Sequence, residues 1–157
     1  MHKPYIVFIE LKIASKAKYV CDLAEKLYDS NVSVTIFTGD AKTVNQVDDL
    51  LWTWKQESFV PHSVHDQNSA AQGPVILTVQ KESLPDTDAL ILFDPLPAEY
   101  LSKYKLIIDF AEVYHADKVK ESRIRFKNLR DSGLFDLHFT QLGTILSKKS
   151  ISLNPAE

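Results

Sequence analysis

A chain of 157 residues that is 45% hydrophobic and 25% charged has the composition of one globular domain and is long enough to bury a core. Its formal charge of −3 excludes attraction to nucleic acid by the molecule as a whole, so any basic surface is a local patch. A single cysteine excludes an internal disulfide, and no apolar run approaches the length of a membrane span, which together predict a soluble cytoplasmic protein.

Tyr5 to Leu11, YIVFIEL, reads as a buried strand and is too short for a signal peptide's apolar core. Between Ser15 and Ser30, Val20, Leu23, Ala24 and Leu27 recur at helical spacing, with Ser15 as a candidate N-cap. Cys21 falls in this apolar set and reads as a small buried residue rather than a nucleophile. Val32 to Phe37 predicts a second strand, closed by Gly39 and Asp40. A second helix follows over 41–55, with Val44, Val47, Leu50, Leu51 and Trp54 on its apolar side. Residues 56–74 are rich in Ser, Asn, Gln, Gly and Pro and read as irregular. Strands are predicted at Val75–Val79, Ala89–Phe93 and Lys105–Phe110, then a charged helix from about Asp117 to Ser132 with Gly133 as its stop. A semi-structured tail ends the chain.

Strands apolar on both faces and linked by helices imply a parallel or mostly parallel sheet covered on each side, a three-layer α/β domain of the doubly wound kind. Such domains hold ligands at the carboxyl ends of their strands. A nucleotide is not expected there. The four glycines, Gly39, Gly73, Gly133 and Gly143, are scattered, and neither G-x-G-x-x-G nor G-x-x-x-x-G-K-[ST] can be written, so no phosphate-binding loop exists. Lys16 and Lys18 follow the first strand and read as solvated. His62 and His65 lie in a Pro-flanked loop with only Asp66 nearby, too few ligands for a metal; His115 and His138 are isolated. Asp94 and Asp109 end strands, where a carboxylate serves catalysis or caps a turn, yet no nucleophile with a base accompanies them. No cofactor, metal or catalytic residue is expected.

Two surfaces stand out. Between Lys118 and Arg130 the last helix carries Lys118, Lys120, Arg123, Arg125, Lys127 and Arg130 against one acid, Glu121. At about 100° per residue, Lys120, Arg123, Lys127 and Arg130 form a stripe bordering Val119, Phe126 and Leu129. The stripe suits an acidic peptide with an aromatic end, but it also fits a solvated helix face or a phosphate contact. The second surface is ESFVPH, Glu57 to His62, just after Trp52 and Trp54. Pro61 biases Val60 to an extended backbone, setting Phe59 and Val60 on opposite faces. Such aromatic clusters make interface anchors, or else fold back under the domain.

Two blocks carry a family resemblance. LLWTWKQESFVPHS, followed after a polar loop by GPVILTV, resembles the chi subunit family of bacterial DNA polymerase III, and so does YKLIIDFAEVY with RIRFKNLRDSG. Together they span about residues 44–142. The resemblance implies a Rossmann-like domain over 1–142, with 143–157 as a partly flexible tail. It implies a non-catalytic accessory subunit of the clamp loader at the replisome, which touches DNA only indirectly. Its partners would be the psi subunit and the acidic, Phe-ended tail of single-stranded-DNA-binding protein. The psi-facing surface would include Trp52, Phe59, Val60, Pro61 and His62, an outward apolar knob. The tail site would be the basic stripe, with Arg123 as the main contact and Phe126 as its wall, where the family has Tyr. Lys118 or Lys120 would add a second cation, with Lys127 and Arg130 nearby. The rival readings are a small nucleotide-dependent enzyme on the same fold and a direct binder of single-stranded nucleic acid.

Overall fold

The computed structural model describes residues 3–53, 60–65 and 73–154. Among the described residues seven strands form one sheet: β1 (Tyr5–Leu11), β2 (Val34–Phe37), β3 (His62–His65), β4 (Val75–Thr78), β5 (Ala89–Leu92), β6 (Leu106–Glu112) and β7 (Asp136–Gln141). Their spatial order is β3-β4-β2-β5-β6-β1-β7, and every pairing is parallel. The helices are α1 (Lys16–Asp29), α2 (Ala41–Thr53), α3 (Ala116–Ser132) and the short α4 (Leu142–Leu146). The three-layer α/β fold expected from the apolar runs is the fold observed, Rossmann-like in its layers.

The two faces of the sheet bury separate cores. On one, α1, α2 and α4 cover Val7, Ile9 and Leu11 of β1 together with Val34, Ile36, Leu77, Ile91 and Ile108. On the other, α3 and the segment around Leu96–Tyr104 cover Ile6, Phe8, Leu90, Leu92 and Ile107. Alternate residues of one strand thus serve opposite cores, as the two-residue period of a strand requires. Cys21 is fully buried, and burial, with Asp22 and Glu25 nearby, pushes its thiol up to about 12.

Two strands fall where irregular chain was expected. His62 and His65 are not on a loop but on β3, an edge strand pairing only with β4. β7 lies at the other edge, beside β1. Each is short and half-exposed, so neither has the continuous apolar run that marks the central strands. Ser15 stands at the α1 N-cap position, but its side chain makes no capping bond. Lys16 is not solvated: its ammonium lies 3.3 Å from Glu112 Oε2, and 4.8 and 5.5 Å from the ring centroids of Phe93 and Phe110. Beyond β7, Ile145 and Ile151 are buried in the core that α1 covers.

Candidate peptide-binding site

The helix α3 is placed by one buried ion pair. Asp109, mid-strand on β6, is 3% exposed and grips Arg125 through two hydrogen bonds of 3.1 Å, from Nε and Nη2. Arg125 Nη2 also donates to the Phe110 carbonyl at 3.1 Å. Leu129 and Ser122 lie beneath the helix, and Gly133, in the left-handed conformation at φ 71°, closes it. His115 opens the helix by accepting from the Lys118 backbone N–H. Asp94 does not cap the turn after its own strand: it accepts from Gly39 N at 2.6 Å and so ties down the loop that follows β2.

With Arg125 fixed on one flank, the other flank of α3 overhangs the edge of the sheet and leaves a cleft of about 510 Å³. Its floor is Phe8 and Glu10 of β1, Ala111 of β6 and Phe139 of β7; its roof is Val119, Ser122, Arg123, Phe126, Lys127 and Arg130; Val113 stands at its rim. The strand register explains the floor. Phe8 is opposite Asp109 on one side and Phe139 on the other, and Glu10 is opposite Ala111 and Gln141, so these residues share one face. The Phe8 and Phe126 rings meet edge to face with centroids 5.2 Å apart. Phe139 is 55% exposed, an aromatic surface without cover on an edge strand.

The charge is as one-sided as the shape. Among the described residues Arg123 and Lys127 make no ion pair, while Arg130 meets only the exposed Asp131, at 3.4 Å. Glu10 is the one acid in the lining, and Lys12 Nζ lies 3.5 Å from it. A cleft lined by three phenylalanines and three cations can bury an apolar side chain while forking onto a carboxylate.

Of the six residues expected at the tail site, the cleft unites Arg123, Phe126, Lys127 and Arg130. Lys120 is exposed on α3 and does not line it. Lys118 is on the opposite flank, its Nζ 3.5 Å from Glu112 Oε1. There, at the carboxyl ends of β1 and β6, Glu112 gathers Lys16, Lys118 and the Tyr114 hydroxyl, which donates at 2.5 Å. Burial raises the Glu112 carboxyl, but the Tyr114 hydrogen bond and the two lysines outweigh it and hold the group below its ordinary value. Burial lowers the Lys16 ammonium, with Glu112 opposing. The sequence reading missed the floor, above all Phe8 and Phe139, because strand register decides which residues of distant strands meet under a helix. Helical spacing had set Val119 beside the stripe, and Ser122 was within its reach.

The second surface is only partly described. Trp52 is 59% exposed at the end of α2, its ring centroid 4.7 Å from that of His62. Val60 does not belong to an outward knob: it is 2% exposed and packs in the core, as one of two alternating faces must. The His62 side chain is buried as well, although the residue as a whole is partly exposed. Its Nδ1 lies 2.7 Å from the Val60 carbonyl, and its Nε2 lies 3.0 Å from Asp48 Oδ1 without hydrogen-bond alignment. Pro61 is partly exposed, and Phe59 lies outside the described residues. Among the described residues no three His, Cys, Asp or Glu side chains converge as metal ligands, and no helix is long and apolar enough to cross a membrane.

Comparison with known proteins adds the family. A model of the DNA polymerase III chi subunit, HolC, matches residues 4–135. The DNA polymerase III subunit chi of Escherichia coli K12 is 30% identical over 123 residues, 77% of this chain and 82% of that protein. The Haemophilus influenzae subunit chi is 27% identical, over 72% of this chain and 78% of its own. A probable subunit chi of Rickettsia prowazekii is 26% identical over 58% and 59%. The match runs from β1 through α3 and so includes most of the cleft, and it agrees with the resemblance carried by the Trp52 and Arg123 blocks. The chain belongs to the DNA polymerase III chi subunit family, accessory subunits of the replicative polymerase.

Proposed function

We propose that this chain is a non-catalytic bridge in the replisome, holding the acidic, Phe-ended tail of single-stranded-DNA-binding protein in the cleft between α3 and the sheet. A second contact, to a psi-type subunit, uses the surface around Trp52 and Pro61, with Phe59 as its neighbour in sequence. The observation that carries the tail site is the cleft itself: Arg123 and Lys127, which make no ion pair among the described residues, line it together with the rings of Phe8, Phe126 and Phe139. A terminal carboxylate pairs with Arg123 while the terminal ring enters the apolar floor. Acidic residues upstream feel Lys127, Arg130 and the exposed Lys120, an attraction that salt screens. Lys118 is engaged by Glu112, which favours Lys120 as the outlying cation of this reading.

The test is a fluorescence titration of the full chain with an acidic peptide ending in Phe, beside the same peptide with an amidated end. The free carboxylate is expected to bind and the amide to bind much more weakly. Arg123→Ala is expected to weaken binding about tenfold or more, the scale of a charge-assisted hydrogen bond. Equal affinity in Arg123→Ala and the unaltered protein removes the site. Trp52→Ala leaves tail binding unchanged but weakens capture of a psi-type subunit; loss of both together overturns the two-surface arrangement.

A further inference from the structure

We infer that the outer edge of β7 takes an extended acidic segment as a further strand of the sheet, so that the peptide is held through its main chain as well as its end; this rests on the cleft being a tail site. Strand alternation places the groups that matter. Asp136 N donates to the Pro4 carbonyl at 3.0 Å, so the N–H and C=O groups of Asp136, His138 and Thr140 face β1. Those of Leu137 and Phe139 face the other way, where β7 has no neighbouring strand among the described residues. Edges of this kind are ordinarily blunted by proline, lysine or a covering segment. DLHFTQ has no proline and no lysine, and its one charge is Asp136 at the first position. The helix α4 that follows packs Ile145 into the core that α1 covers. Leu134 and Phe139, 59% and 55% exposed, leave apolar surface beside the unpaired groups.

Phe139 joins this edge to the cleft: its ring lines the cleft while its main-chain groups point out along the sheet. A strand about 4.8 Å beyond β7 lies beside the flank of α3 that carries Arg123, Lys127 and Arg130. That charge selects the occupant. A second copy of this chain, paired edge to edge about a two-fold axis, would bring two such stripes together on one side of the joint sheet, and like charges repel. An acidic strand meets the stripe favourably. The direction follows from the helix. Leading from β6 to β7, both parallel to β1, α3 runs back against them, so Arg130 lies toward the amino end of β7 and Arg123 toward its carboxyl end. A peptide whose terminal carboxylate reaches Arg123 while its acidic stretch passes Lys127 and Arg130 therefore runs parallel to β7. In that pairing one peptide residue donates its N–H to the Leu137 carbonyl and accepts from the Phe139 N–H, and the residue two before it accepts from the Leu137 N–H. The residues between present their main-chain groups to solvent.

The experiment follows amide hydrogen exchange by NMR in the full chain, with and without an acidic peptide that ends in Phe with a free carboxylate. The Leu137 and Phe139 amides are expected to exchange readily in the protein alone and to slow about tenfold or more at saturation. Those of His138 and Thr140, already bonded to β1, are slow throughout. Single N-methylation along the peptide is expected to weaken binding about three- to tenfold at alternate residues, the scale of one lost hydrogen bond, and to leave the residues between unchanged. Unchanged exchange at Phe139 under saturating peptide, or methylation losses without alternation, overturns the inference, while binding that still depends on Arg123 keeps the tail site. Protection of Phe139 in the peptide-free chain that grows with protein concentration gives the edge to a second copy and overturns the inference too. A peptide that does not bind, or that binds Arg123→Ala equally well, removes the tail site and this inference with it.

Discussion

Arg125 and Arg123 are two residues apart on α3 and have opposite duties: one is tied to Asp109, and the other carries no partner within the described chain. Replacing Arg125 by Met strands a buried carboxylate, and a destabilisation of about 3–5 kcal/mol is expected from urea unfolding. The double variant Arg125→Met, Asp109→Asn is expected to recover part of that loss, because the orphaned charge is gone. Glu112 makes the corresponding prediction for acid. Its folded pKa lies below the ordinary 4.5, so its stabilising contribution is present above that value and is lost as pH falls through the folded pKa. Glu112→Gln should flatten that part of the acid limb in unfolding curves recorded at neutral pH and at steps below 4.5. An acid limb identical in slope to the unaltered protein would show that Glu112 is not held this way. From sequence, Asp109 was visible only as an acid near a strand end. Its partner sits 16 residues further on: helical spacing leaves Arg125 outside the stripe of the other four cations, but does not say which acid of a distant strand it meets.

The central elements were legible because each carries a strong period. β1 is observed over the residues its apolar run spans, and α3 begins one residue earlier than its pattern suggests and ends at Gly133. Gly133 has open space where a Cβ would stand, so Gly133→Ala isolates the cost of a left-handed backbone, about 1 kcal/mol. A thermal midpoint lower by about 2–4 °C is expected. The edges were illegible for a physical reason. A strand covered on one side only needs neither a long apolar run nor a β-branched sequence, and HSVH and DLHFTQ have neither. The loss of β7 from the sequence reading took Phe139 with it, which is why the basic roof of the cleft was foreseen and its aromatic floor was not.

The molecule is tied together across its whole length. The chain after β7 returns to α1: Ile145 and Ile151 enter that core, Lys26 Nζ donates to the Leu146 carbonyl at 3.1 Å, and Ile151 N donates to Ser30 Oγ at 2.9 Å. Removing residues 143–157 takes away two buried isoleucines, each worth roughly 2–5 kcal/mol. The expected fall in thermal midpoint is about 10 °C or more, with the three-layer fold intact by circular dichroism; an unchanged midpoint would make the segment a passive tail. The position of β1 has a consequence in time. β1 is made before both of its neighbours, so YIVFIEL has no pairing partner until residues 106–112 have been synthesised and is not paired on both sides until 136–141 follow. At about 5–20 residues per second the ribosome needs roughly 7–25 s to reach them. For that interval the nascent chain displays an apolar strand that lacks one or both of its neighbours and depends on whatever shields it in the meantime.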